Sequence, residues 1–293
     1  MRRSRETPPD ARYNVPVRRE LEVAVELAQR AGSEILRAFG TSFPVDFKPG
    51  DEGPVTEADR RADQLIRDGL SAAFPDDAIL SEETPDDLSR LGAERLWLVD
   101  PLDGTRQFVE AVPEFAVMIG LAIRGRAVLG VIHVPPERRT LFGAEGHGVE
   151  VLDLQGWRPL ATLPEGIPSE RGPVVTLSRS HAGSRTREVA RRLGASRIVA
   201  SGSVGRKVVL VLTGEADVYV TLGRRSRHWD ACAPDALMRL AGGAFSDIRG
   251  RAVSYNTEAT TNRSGMLAAR RGLFERTVDA IAALGPEAPV QSG

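Results

Sequence analysis

Apolar residues near the start of the chain recur at three- and four-residue intervals: Leu21, Val25, Ala28, Ala31, Ile35 and Phe39. That period lays them on one stripe of a helix from Val17 to Phe39, and Gly40 provides a natural stop. The following stretch, SFPVDFKPGDEGPVTEAD, is punctuated by Pro and Gly and reads as a loop. A second helix is predicted from about Ala58 to Ala73, burying Ala62, Leu65, Ile66 and Leu70. AILSEE (78–83) and RLWLVD (95–100) then read as strands that each reach an acidic edge.

Three apolar runs follow: FAVMIGLAI (115–123), RAVLGVIHV (126–134) and RTLFGAE (139–145). Arg124-Gly125 and Pro135-Pro136 separate them, and connections this short predict an antiparallel meander. Gly146-His147-Gly148 marks another turn, and LPEGIPSERG (163–172) is the best candidate for a domain boundary. Beyond it strands (VVTLS, RIVA, ADVYVTL, Met266–Ala269) alternate with helices at about Arg185–Leu193, Val204–Leu212, Asp230–Leu240 and Leu273–Leu284. Such alternation marks an α/β layer. The predicted organisation is a tail (1–16), an α+β unit with an antiparallel sheet (17–165) and an α/β unit (166–293).

Composition changes this picture little. The 293 residues are 41% apolar and 27% charged, ordinary for a globular chain with a large core. With 39 basic and 40 acidic residues the net charge is −1, which argues against a protein that coats a nucleic acid polymer. A local basic pocket for a small anion stays open. Cys232 is the single cysteine, so an intramolecular disulfide and a cysteine metal cluster are excluded. The basic N-terminal stretch lacks the apolar core of a signal peptide and reads as a flexible tail. No window approaches the ~18 consecutive apolar residues of a membrane span. The expected location is cytoplasmic.

The chemistry concentrates in DPLDGT (100–105), where two aspartates flank a proline at the end of an apolar strand. Pro101 biases Asp100 toward an extended backbone, and Pro also suits the first turn of a helix. Asp103-Gly104-Thr105 would form a tight turn with N–H groups able to receive an anion. Glu82-Glu83, Asp59 and Asp230 supply further carboxylates at element ends. Carboxylates with a phosphate suit hard cations such as Mg²⁺, and two such ions can activate water and stabilise a leaving oxygen. No HxxxH or CxxC spacing points to zinc.

Taken singly, each piece has a plainer explanation. Asp230 reads as a helix cap, Glu82-Glu83 as a solvated edge and VTEAD as a helix-start signal with Thr56 as the cap. A cap explains at most one aspartate of DPLDGT, so the combination favours catalysis. The D-x-D-G-T motif of haloacid-dehalogenase-type phosphatases is a poor match, because here the aspartates are three apart with a proline between them.

VTEAD (55–59), SEET (81–84), DPLDGTRQF (100–108) and WDACAPDALMRLAGG (229–243) occur in the order and approximate spacing of the inositol monophosphatase superfamily, which the chain resembles from about Leu21 to Ala269. The resemblance implies a layered αβαβα sandwich of mixed α+β and α/β character and a Mg²⁺-dependent, typically lithium-sensitive phosphatase with two or three ions per site. It implies Glu82, Asp100, the Leu102 carbonyl, Asp103 and Asp230 as metal ligands, with Glu83 in an outer position. It implies Asp59 and Thr105 as the pair that deprotonates the attacking water, and Gly104 and Thr105 N–H groups as holders of the phosphate. A monomer or homodimer would be usual.

Within that superfamily SRSH (178–181), WDACAPD, LSEETPDDLSRL and EFAVMIGL resemble the 3'(2'),5'-bisphosphate nucleotidases, which act on adenosine 3',5'-bisphosphate from sulfate metabolism. Ser180, His181 and Lys207 become the substrate-pocket candidates, with Asp230 shared and Ser178 and Arg206 as lesser ones. Lys48 matches a basic position of that branch, and Gly202-Ser203-Val204-Gly205 its glycine turn. An inositol or sugar phosphatase using the same metals is the alternative. Gly53 before PVT, VGRK (204–207) and the loop GRRSRHWD (223–230) depart from the relatives' pattern and bear on substrate choice. His133, His147 and Cys232 read as structural or surface residues.

Overall fold

The helical stripe of the first segment needs something to cover, and the computed structural model supplies a sheet. Described are residues 17–42, 44–47, 53–166, 172–180, 182–223, 226–262 and 264–285. The predicted tail, Lys48 and His181 lie outside these, as does part of the predicted boundary segment. In chain order the elements are α1 (Arg18–Ala38), β1 (Val45–Phe47), β2 (Pro54–Thr56), α2 (Glu57–Ala73), β3 (Ala78–Ser81), β4 (Arg95–Asp103), α3 (Thr105–Val109), β5 (Ala116–Ile123), β6 (Arg126–Val134), β7 (Arg139–Ala144), β8 (Gly148–Asp153) and β9 (Gly156–Pro159). There follow β10 (Val174–Ser178), α4 (Ser184–Arg192), β11 (Arg197–Ser201), α5 (Val204–Leu212), β12 (Val218–Thr221), α6 (His228–Leu240), β13 (Ala244–Ser246), β14 (Met266–Ala269) and α7 (Arg271–Ala282).

Strands β3 to β9 form one sheet in chain order, antiparallel throughout except for the parallel pair β3 and β4. The second sheet runs β11-β10-β12-β14-β13, with β10 parallel to β11 and β12. Strand alternation sorts the first sheet's side chains onto two faces. Trp97, Val99, Val117, Ile119 and Leu121 pack with Leu27, Ile35 and Ile66 of α1 and α2. Leu96, Leu98, Met118 and Ile132 pack with Val208, Val211, Ala233 and Leu237 of α5 and α6. Tyr219, Met266 and Ala268 of the second sheet join that same cluster, while Val175, Val220 and Leu267 face Val189 of α4 and Ile281 of α7. The layers are therefore αβαβα, a mixed α+β and α/β sandwich.

One contact sets the spacing between layers. Gly120 and Gly130 are register partners on β5 and β6. A Cβ on Gly120 would meet Cys232 Sγ at 2.7 Å, and one on Gly130 would meet the Ala233 carbonyl oxygen at 2.5 Å. Only glycine lets α6 lie this close to the sheet. Cys232 is consequently buried and acts as a small packing residue.

Four local expectations change. The stretch read as a loop contains the two-stranded antiparallel ribbon β1–β2, too short at three residues per strand to show a period. β3 stops at Ser81, so Glu82 and Glu83 sit in the turn behind the strand. β8 and β9 extend the meander beyond the marked turn; their partly solvated, charge-bearing positions hide them. α6 starts at His228, ahead of Asp230.

His133 on β6 is buried against Gly32 of α1, with Nδ1 2.9 Å from Thr140 Oγ1. Burial lowers its pKa from the ordinary 6.5 to about 4, so the folded protein holds it neutral. The unfolded chain binds this proton below pH ~6.5, hence the associated stability is complete above that pH and is lost as pH falls toward ~4. Urea unfolding of wild type and His133→Gln should show the stability gap between them shrinking by about 2–3 kcal/mol from pH 7 to pH 4. A pH-independent gap would assign the histidine no such role.

Candidate active site

The DPLD segment is the end of β4 itself. Pairing with β5 slips between Asp100↔Met118 and Asp103↔Ala116, a bulge that places three residue steps against two. Pro101 sits in that bulge, where a missing N–H breaks no ladder bond, and not in the first turn of a helix as its position suggested. Asp100 Oδ1 accepts from Leu102 N at 3.1 Å, which folds the bulge over its own carboxylate. Gly104 follows with φ +99° and caps the short helix α3. A Cβ there would lie 2.8 Å from the Glu114 carbonyl oxygen, so backbone angle and space both demand glycine.

Helix α2 supports this turn from below. Asp59 is its third residue, and Oδ2 accepts from Thr56 N (2.7 Å) and Thr56 Oγ1 (2.5 Å) in a capping box. Its other oxygen, Oδ1, lies 3.0 Å from Thr105 Oγ1. The capping reading of VTEAD therefore holds through one carboxylate oxygen, while the other is turned to the Thr105 hydroxyl. Thr105 Oγ1 is also 3.0 Å from the Leu102 carbonyl, so two acceptors compete for one hydroxyl proton. One turn further on, Asp63 is buried and holds Ser81 and, at 3.2 Å, Thr84. Asp63 was missed in the sequence, although two acids four apart on an otherwise apolar stripe is a legible signal.

α6 brings Asp230 from the opposite side. It is the third residue of α6 and not its N-cap, but it does serve the cap: Oδ2 accepts from Arg227 N at 2.6 Å in a capping box. Asp100 and Asp230 hydrogen-bond to each other, with Glu82 and Asp103 close enough to repel them. Burial, then Glu82, push the Asp100 carboxyl well above the usual carboxylate range; the same causes bring Asp230 up to about 7. Asp103 is raised by burial against the pull of Lys207, Ser203 and Gly205 N; its Oδ2 accepts from Ser203 Oγ at 2.5 Å and Gly205 N at 2.7 Å.

Four carboxylates with so little compensation need positive charge. Among the described residues no three His, Cys, Asp or Glu side chains form a ready-made metal cage in this conformation. The donor chemistry nevertheless fits a hard divalent cation such as Mg²⁺: the set is all oxygen, strongly anionic, and each aspartate is braced through one oxygen by backbone or hydroxyl donors.

The cleft beside this cluster has a volume of about 500 Å³ and joins both halves of the chain. Glu82, Asp103, Gly104, Thr105 and Asp230 line one side, and Ser178, Ser180, Gly202, Lys207 and Tyr219 the other. Ser180 is exposed and accepts from Gln107 Nε2 at 3.2 Å. Lys207 is buried over the Tyr219 ring, and its Nζ donates to the Ser201 and Gly202 carbonyls at 3.2 and 3.0 Å. Burial lowers its pKa to about 8 against the pull of Asp103, Glu114 and Asp230, which leaves it charged at neutral pH. Arg206 bonds Glu137 and Ser201 and does not line the cleft. Glu114, also missed, ties Arg179 (2.8 Å) and Gly202 N (3.0 Å) into one brace. Its two charges lie 65 residues apart, and no local pattern pairs them.

Gly104→Ala should lose about 1–3 kcal/mol in urea unfolding, because it meets both a positive φ and a backbone oxygen. Gly146→Ala, at φ +84° with open space around it, should lose only about 1 kcal/mol. Equal losses would remove the steric argument.

The Inositol monophosphatase family model matches residues 17–284. The chain is 34% identical to the 3'(2'),5'-bisphosphate nucleotidase CysQ of Salmonella typhimurium over 80% of its own length and 93% of that protein. It is 32% identical to a histidinol-phosphatase of Chlorobaculum parvum over 89% and 96%. A CysQ structure from Bacteroides thetaiotaomicron superposes with a TM-score of 0.73 at 27% identity, covering 88% of this chain and 99% of that one. An IMPase structure from Thermotoga maritima gives 0.75 at 25%, covering 91% and 98%. Matched along nearly all of its described length, with the same layered fold, this chain belongs to the inositol monophosphatase family of phosphatases.

Proposed function

We propose that the protein hydrolyses the 3'-phosphate of nucleoside 3',5'-bisphosphates, adenosine 3',5'-bisphosphate first among them, releasing phosphate and the 5'-monophosphate. The observation that carries this reading is one cleft of about 500 Å³ lined on one side by Glu82, Asp103 and Asp230 and on the other by Ser178, Ser180 and Gly202. The identity to CysQ nucleotidases supports the branch.

Glu82, Asp100, the Leu102 carbonyl, Asp103 and Asp230 are the residues to hold Mg²⁺, which when bound neutralises phosphate charge and lowers the pKa of water. The chain itself supplies orientation and a proton route. Asp59 Oδ1 draws the Thr105 hydroxyl proton, which turns the lone pairs of Thr105 Oγ1 toward a water and lets it accept that water's proton. Asp59 is braced for the task by Thr56, and burial raises its pKa toward that of a working base. The Gly104 and Thr105 N–H groups, at the start of α3 and so not used in its ladder, receive the phosphate oxygens. Ser180 takes part in holding the rest of the substrate, while Lys207 acts from beneath through its field and by fixing the Gly202 turn.

The test is phosphate release with Mg²⁺ from adenosine 3',5'-bisphosphate, inositol 1-phosphate, fructose 1,6-bisphosphate and histidinol phosphate in parallel. The nucleotide should be the fastest substrate, with inhibition by Li⁺ and loss of turnover in excess chelator. Asp100→Asn should cost about 100-fold or more in kcat. Efficient turnover of a monophosphate with none of the nucleotide would overturn the branch. A histidinol phosphatase is the second reading, favoured by the longer stretch of this chain that relative matches.

A further inference from the structure

A substrate with two phosphates needs a cation for the one that is not cleaved. Most basic side chains near the cleft are already committed. Arg179 gives Nε and Nη2 to Glu114 at 2.8 and 2.5 Å. Arg206 gives Nε to Glu137 at 2.7 Å and Nη1 to Ser201 Oγ at 3.2 Å. Lys207 is buried with its ammonium on two backbone carbonyls and its field spent on Asp103. Among the described residues that line the cleft, the remaining cation is Arg106.

Arg106 is the residue after Thr105, in α3, and is exposed at the cleft. Among the described residues its guanidinium takes part in no hydrogen bond or ion pair. Its backbone is held firmly all the same. Gln107 is buried and bonds Ser180, and Gly202 packs so tightly on it that a Cβ would lie 2.2 Å from Gln107 Cδ. Phe108 is buried between Phe39 and Phe115. A fixed backbone keeps the uncommitted guanidinium within reach of the cleft, where the surrounding carboxylates would otherwise repel a second phosphate. We infer that Arg106 is the specificity-determining residue that selects substrates carrying a second anionic group away from the scissile phosphate. This rests on the nucleotidase reading only for the name of the substrate, since the charge argument holds for any bisphosphate.

The experiment compares kcat/KM for adenosine 3',5'-bisphosphate and adenosine 3'-monophosphate in wild type, Arg106→Ala and Arg106→Lys. In Arg106→Ala the preference for the bisphosphate should fall by about 10- to 100-fold, the size of a charge-assisted contact, and mainly through KM. Arg106→Lys should recover most of the preference. Added NaCl should narrow the preference in wild type and not in Arg106→Ala. Equal losses on the two nucleotides would place Arg106 on the scissile phosphate and overturn the assignment, as would an unchanged ratio. If wild type hydrolyses neither nucleotide, the nucleotidase reading falls. The ratio for fructose 1,6-bisphosphate against fructose 1-phosphate then decides Arg106 by the same criterion.

Discussion

Crowding carboxylates in a buried place is the constraint around which the molecule is arranged. Asp100 and Asp103 are nearly inaccessible, Asp230 bonds to Asp100, and Glu82 lies within their field. Isolated charges in such surroundings are costly, and like charges add to the cost. The fold answers with donors that cannot move away: the Leu102, Gly205 and Arg227 N–H groups, the Ser203 hydroxyl, and the buried ammonium of Lys207. These fix the carboxylates without neutralising them fully. The residual negative charge is what a hard cation, held there as proposed, would offset.

Holding that cluster requires two helices to meet one strand end from opposite faces. α2 reaches it from the outer layer, where one turn of helix carries both Asp59 under the Thr105 turn and Asp63 under the Ser81–Thr84 turn. α6 reaches it from the middle layer, and the Gly120–Gly130 pair decides how near it comes. A methyl group at either glycine would lift the helix from the sheet, and Asp230 with it. Packing in the centre of the protein thus sets a distance within the carboxylate cluster at its edge.

The opposite wall of the cleft is organised by ion pairs across the chain. Glu114 joins the α3–β5 connection to the Arg179 and Gly202 turns, and Glu137 joins the β6–β7 turn to Arg206. Basic residues that look like substrate contacts in the sequence are thereby turned into braces. Lys207 shows the same shift, from a candidate hand on the phosphate to a buried charge beneath it. Arg106, one residue beyond DPLDGT, carries no such acidic partner among the described residues.

What the sequence by itself determined is local. Periodicity located the main helices and the central strands, because a 3.6-residue or two-residue repeat is written in neighbouring positions. DPLDGT, VTEAD and SEET pointed to the carboxylate side of the cleft for the same reason: each is an element end whose chemistry depends on adjacent residues. Short or solvated strands such as β1, β2, β9 and β13 carried too few residues to show a period. Tertiary structure alone decided the rest: that Asp230 meets Asp100, that α6 seats on a glycine pair, and which arginines beside the cleft are bound to acids. Those pairings join residues up to about 130 positions apart, and their energy depends on burial and geometry, quantities that exist only once the layers have closed.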